Sequence, residues 1–144
     1  MKRAFFIILS IALLSSCAPA SLYYWGGGDK TTAYEKLAYK SYDTQTPKSL
    51  CGLICVYEKM VSAPGGTRQV PPPGICAEYG YLLLQPGTAE TFMNNASAMQ
   101  KSAFKTKDFD ALFREKGEAM LKKEIEIYPE SAVFIEPLIK KLVR

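Results

Sequence analysis

Phe109, Leu112, Phe113, Lys116, Met120, Leu121, Ile125 and Tyr128 recur at three- and four-residue spacing. This unbroken helical period narrows most sharply what the chain can become. A stripe of that period belongs to a long helix with its apolar side on a core, starting near Lys107-Asp108 and broken by Pro129-Glu130-Ser131. The chain before it is punctuated the same way. Thr32-x-x-Glu35 reads as a capping box for a helix reaching about Tyr42, and Thr46-Pro47 starts a second, whose stripe Leu50, Leu53, Ile54, Tyr57 and Val61 stops at Ala63-Pro64-Gly65-Gly66. These two predict a hairpin. A third helix is expected from Pro73 or Gly74, with Cys76, Tyr79, Gly80 and Leu83 on one face, ending at Gln85-Pro86-Gly87. A fourth follows from Thr88, with Phe92, Ala96 and Met99 one turn apart, and a last one carries Phe134, Ile135, Leu138, Ile139 and Leu142 past Pro137. Strand alternation is nowhere sustained, so the fold class is all-α, built from antiparallel helical hairpins.

The first residues carry an address. Lys2 and Arg3 precede an apolar run from Ala4 to about Leu14, the length of a secretory signal and too short for a membrane span. Leu14-Ser15-Ser16-Cys17 resembles the box at which bacterial lipoproteins are cleaved and lipidated. The resemblance implies that residues 1–16 are a signal peptide that is removed and that Cys17 becomes the lipidated (palmitate-bearing) first residue. Residues 17–30 then form a tether holding Leu22-Tyr23-Tyr24-Trp25 and Gly26-Gly27-Gly28, and 31–144 a single helical domain. Ala18 after the cysteine, rather than Asp, is similar to the enterobacterial sorting signal for the outer membrane. No acidic cluster follows, which predicts a periplasmic face.

Composition removes several chemistries. The 144 residues contain no histidine, which excludes Ser-His-Asp and Cys-His catalysis, His-ligated zinc and imidazole acid–base chemistry within the chain. Loss of the signal takes two of 18 basic residues and leaves 16 against 14 acidic ones in a 128-residue chain. That near-neutral balance has no basic stripe, and nucleic acid is not an expected partner. Lys122-Lys123 and Lys140-Lys141 read as solvated helix faces, as do Glu124 and Glu126, which point to different sides of one helix. Three cysteines remain, Cys51, Cys55 and Cys76. They are read as buried thiols or as one disulfide pair with a thiol left over, either Cys51 with Cys55, one helical turn apart, or one of these with Cys76. Cys51-Gly-Leu-Ile-Cys55 is not the two-residue-spaced redox motif, and no fourth ligand completes a metal site.

Tyr24-Trp25-Gly26, Val70-Pro71-Pro72-Pro73-Gly74, Ala77-Glu78-Tyr79-Gly80-Tyr81-Leu82-Leu83-Leu84 and Glu124-Ile125-Glu126-Ile127-Tyr128-Pro129-Glu130-Ser131 together resemble a family of small bacterial lipoproteins catalogued as a domain of unknown function. The resemblance spans nearly the whole mature chain and implies no known activity. Members tend to be encoded beside a curli-secretion-channel-like lipoprotein, which implies a partner in an envelope assembly. Gly80, Gly87 and Pro129 also resemble a tetratricopeptide unit, with an insertion over about Phe92 to Phe113.

The expected function is a lipid-anchored, non-catalytic adaptor or accessory subunit of an envelope or secretion complex, with no cofactor, metal or small-molecule substrate. The competing readings are a thiol-dependent envelope enzyme and a structural lipoprotein tying membrane to wall. The candidate partner-binding residues are Tyr24, Trp25, Pro71, Pro72, Pro73, Glu78 and Tyr81, because extended proline segments and tyrosines recur in recognition surfaces. The opposing reading makes the prolines a device that aims helix three and packs the leader rings onto the core.

Overall fold

A computed structural model describes residues 20–27 and 30–143. The signal peptide 1–16 and the lipidation residue Cys17 lie outside the described residues. Among these there are seven α-helices and no strand: α1 (Ala33–Thr44), α2 (Pro47–Ser62), α3 (Ile75–Leu83), α4 (Thr88–Asn95), α5 (Ala98–Ser102), α6 (Phe109–Ile127) and α7 (Ala132–Leu142), with one 3₁₀ turn (Pro129–Ser131) between the last two.

Local chemistry sets most of these ends. In α1 the Glu35 N–H donates to Thr32 Oγ1 at 3.1 Å and the Thr32 N–H donates to Glu35 Oε2 at 2.7 Å, so both halves of the capping box are present. Thr46 caps α2 through the Ser49 N–H, with Pro47 in the first turn. Asp108 caps α6 through the Ala111 N–H at 3.0 Å. Gly74 and Gly87 take positive φ (85° and 78°) just before α3 and α4, a conformation that costs other residues strain.

The run expected through Phe92, Ala96 and Met99 is instead divided. Ala96 is extended, and Ser97 with Gln100 forms a second complete capping box that starts α5 afresh. Met99 is consequently 84% exposed rather than facing the core. The fully helical α7 accommodates Pro137 in its interior, but only Ile135 of its expected stripe is buried, and Phe134 is 77% exposed. The stripe of α6 holds at Phe109, Phe113 and Leu121. Gly117 and Glu124 are also buried there, neither of which the apolar pattern marks.

The helices pack on one another in chain order and across it. α1 pairs with α2 and α2 with α3, while the tightest packing is that of α3 on α6. Its closeness comes from two glycines: a Cβ on Gly80 would lie 2.7 Å from the Gly117 carbonyl oxygen, and one on Gly117 would lie 2.6 Å from Leu84 Cγ. α4 and α5 cap the far end of the body. There Phe92, Phe104, Phe109 and Phe113 pack ring against ring, with centroids 5.2–6.3 Å apart. Burial of these and of Tyr57, Tyr79, Leu53, Ile54 and Met60 forms one continuous core.

Candidate functional site

The N-terminal segment is not a free tether where it is described. Its carbonyls accept from the body at both edges: Thr67 N–H to Ser21 O at 3.0 Å, Arg68 N–H to Leu22 O at 3.1 Å, and Ala33 N–H to Gly27 O at 2.6 Å. The approach is closest at Gly66, where φ is 76° and an added Cβ would sit 2.5 Å from the Leu22 carbonyl oxygen. Tyr24 packs on Gly65 beneath the Lys59 ammonium, 5.5 Å from its ring centroid. The aromatic knot therefore belongs to the body, as the packing alternative holds.

Trp25 begins a ladder of rings into the core. Its centroid is 5.6 Å from that of Tyr34, which is 5.8 Å from Tyr57, itself 5.5 Å from Tyr79. Carboxylates receive the hydroxyls. Tyr34 and Tyr57 both donate to Glu78 Oε2, at 2.8 and 2.6 Å, and Tyr79 donates to Glu58 Oε2 at 2.7 Å. Lys116 closes the inner end by an ion pair with Glu58 at 2.6 Å. Burial first, then the neighbouring carboxylate, raises Tyr34, Tyr57 and Tyr79 well above the ordinary phenol range, and the ladder is neutral at any physiological pH.

Beside the ladder, the proline loop is fastened from α6. Tyr128 Oη donates to the Pro71 carbonyl at 2.8 Å. The buried Glu124 carboxylate accepts from Gly74 N–H at 2.7 Å and Ala77 N–H at 3.2 Å, the unpaired donors of the first turn of α3. This overturns the reading of Glu124 as part of a solvated face: it is 2% exposed because it anchors a helix start some fifty residues away. Tyr23 lies against this fastening. Arg68 Nη1 donates to its hydroxyl at 3.0 Å, and hydrogen bonding with Tyr128 lowers Tyr23 from the ordinary phenol range while burial raises Tyr128.

The sequence-predicted partner residues thus separate. Pro71 and Pro72 are fully buried and are not part of a free surface, because rings without an N–H enter a core leaving no donor unpaired, and Tyr128 takes the Pro71 carbonyl. Tyr24 and Trp25 are half-buried packing groups. Glu78 stands at the rim with one oxygen engaged by two tyrosines, while Pro73 and Tyr81 face outward. The structure brings Glu78, Tyr34 and Tyr57 together but not Tyr81 with the prolines as one patch. Cys51, Cys55 and Cys76 are free thiols. Burial raises Cys51, pushes Cys55 up to about 11 and Cys76 up to about 12, so thiolate is scarce at neutral pH. Among the described residues no three His, Cys, Asp or Glu side chains are grouped to hold a metal ion, and no helix is long and apolar enough to cross a membrane. The arrangement positions and fastens.

Fold and site together define an all-α body with a docked N-terminal strap and a helix-fastened proline loop at one end. No protein-family model, curated protein or solved structure matches the chain.

Proposed function

We propose that the chain is a lipid-anchored, non-catalytic helical adaptor, held at the periplasmic face of the outer membrane as an accessory subunit of an envelope or secretion assembly. The docked leader carries this reading. Ala20 lies three residues after Cys17 and is followed at once by backbone bonds to the body, so lipid on Cys17 would hold the domain against the membrane instead of on a long leash. The protonated thiols, buried at Cys51 and Cys76 and half-buried at Cys55, favour an adaptor over a thiol enzyme.

The body is a tetratricopeptide-like hairpin of α3 and α6, with α4 and α5 as its insertion. Support comes from the Gly80–Gly117 approach, which supplies the small-residue contact between paired helices that such a hairpin uses, and from Pro129 closing the second helix. The resemblance to small envelope lipoproteins points the same way, towards partner lipoproteins of the curli-secretion-channel kind.

Metabolic labelling with palmitate tests the anchor. The expected result is label on the wild-type chain and none on Cys17→Ala, which moves into the soluble periplasmic fraction. An unlabelled wild-type chain would sink the proposal. Mild crosslinking and recovery of the lipidated protein then identifies partners, and the adaptor reading expects other envelope lipoproteins among them.

A further inference from the structure

We infer that the leader end of the body is a lipid-contacting face, on which Leu22, Val133 and Phe134 meet the bilayer surface itself. The inference rests on the anchor reading above and adds the orientation of the domain. All three side chains are apolar and largely outside the fold: Leu22 is 59%, Val133 76% and Phe134 77% exposed. Next to them in the chain Ile135 is buried, so α7 spends one face on the core and leaves Val133 and Phe134 without cover.

Their common location follows from the fastening. The Leu22 carbonyl accepts from the Arg68 N–H and the Tyr23 hydroxyl from Arg68 Nη1, while three residues on the Pro71 carbonyl accepts from Tyr128 Oη, and Val133 is five residues beyond Tyr128 at the start of α7. The end of α7 lies elsewhere. Leu142 and Val143 line the same groove as Gly87, Asp110 and Arg114, at the opposite end of the body.

Covalent reach selects the occupant. Cys17 and Ser21 are four residues apart, a separation that cannot exceed about 14 Å in any conformation, whereas α6 is 19 residues long and spans roughly 28 Å. A lipid on Cys17 therefore keeps the leader end at headgroup depth while the α4–α5 end stands away from it. The charges named at this end, Arg68 and Lys59 against Glu130 and Glu136, balance and do not favour an anionic surface, so the contact is apolar, of the kind made by side chains set shallowly into a zwitterionic interface.

The test uses the full lipidated chain reconstituted into phosphatidylcholine vesicles whose acyl chains are brominated near the headgroup. Phe134→Trp and Met99→Trp are compared with the parent, Trp25 being common to all three. The added fluorescence of Phe134→Trp should be quenched roughly twofold or more, and that of Met99→Trp, on the α4–α5 end, hardly at all. Equal quenching at both positions, or none at 134, overturns the face. Shielding of 134 from aqueous acrylamide without lipid quenching also overturns it and assigns these residues to a protein contact. The mass of the N-terminal peptide separates the two readings: modified Cys17 with an unquenched 134 leaves the anchor standing, and unmodified Cys17 removes both.

Discussion

Glu124 shows at the scale of one residue how a charge becomes a structural part. Its two oxygens take the Gly74 and Ala77 N–H groups at the start of α3, the carboxylate itself buried and the two donors partly so. Removing the side chain leaves those partly buried donors without their partner, and Glu124→Ala is expected to cost about 1–2 kcal/mol in urea unfolding with an unchanged m value. Glu124→Gln keeps an acceptor without the charge and should cost roughly half as much. Equal stability of Glu124→Ala and wild type would contradict the fastening. Nothing near Glu124 in the chain announces this role, since its partners are 50 and 47 residues away. Gly80 was more legible as a small residue on a core face. Its partner Gly117 was not, because a glycine inside an apolar stripe reads locally as a gap. Gly80→Ala places a methyl group 2.7 Å from the Gly117 carbonyl oxygen. Overpacking of about 1–3 kcal/mol should outweigh the ~1 kcal/mol that alanine returns in helix propensity, lowering the unfolding midpoint where an exposed glycine would raise it.

Among the elements, those closed by their own neighbours were readable in advance and those closed by distant ones were not. Thr32-x-x-Glu35, Thr46-Pro47 and the Pro-Gly stops mark α1, α2 and the end of α3, because capping and φ restriction act within four residues. Ser97-x-x-Gln100 carries the same signal and divides α4 from α5, although the spacing of Phe92, Ala96 and Met99 argues for one helix. Capping prevailed there, since Met99 had no core to reach. The leader is the element whose state depends most on tertiary contact, and Gly66 is its weak point. Gly66→Ala combines a strained φ of 76° with a Cβ at 2.5 Å from the Leu22 carbonyl oxygen, so the strap should lift at its outer edge while the helices stay folded. Expected readouts are unchanged far-ultraviolet circular dichroism, a red-shifted Trp25 emission and faster proteolysis after Arg68. An unshifted emission with wild-type protease resistance would mean that the strap does not depend on this approach.

For the molecule as a whole, the composition and the core together define how folding responds to pH. With no histidine in the chain, no side chain has an ordinary pKa between the carboxylates and the thiols. Several of the thiols and phenols that titrate above that gap are held neutral inside the body. Cys51, Cys55 and Cys76 are raised by burial, the latter two to about 11 and about 12. Tyr34, Tyr57, Tyr79 and Tyr128 are raised from 10 by burial and by hydrogen bonds or nearby charge. For each of these the folded state holds its proton to higher pH than the unfolded state. The unfolded chain therefore binds fewer protons once pH passes the ordinary values of 9 for thiols and 10 for phenols, and stability falls as pH rises. Their contribution is fully present below the unfolded values and is lost on passing upward through the folded ones. Tyr23, lowered by Tyr128 and Arg68 at the surface, acts in the opposite direction, but as one exposed group against several buried ones. At the acid side Glu35, lowered by the Thr32 N–H, adds a small term present above its ordinary value and lost below it. The expected profile of urea midpoint against pH is a plateau from about pH 6 to about pH 9, followed by a steep alkaline decline. Thiol titration should follow the same course, slow in the native protein at pH 8 and rapid in denaturant. A midpoint that rises above pH 9, or native thiols that react at once at pH 8, would show that the tyrosine and cysteine side chains are not held neutral inside the helices.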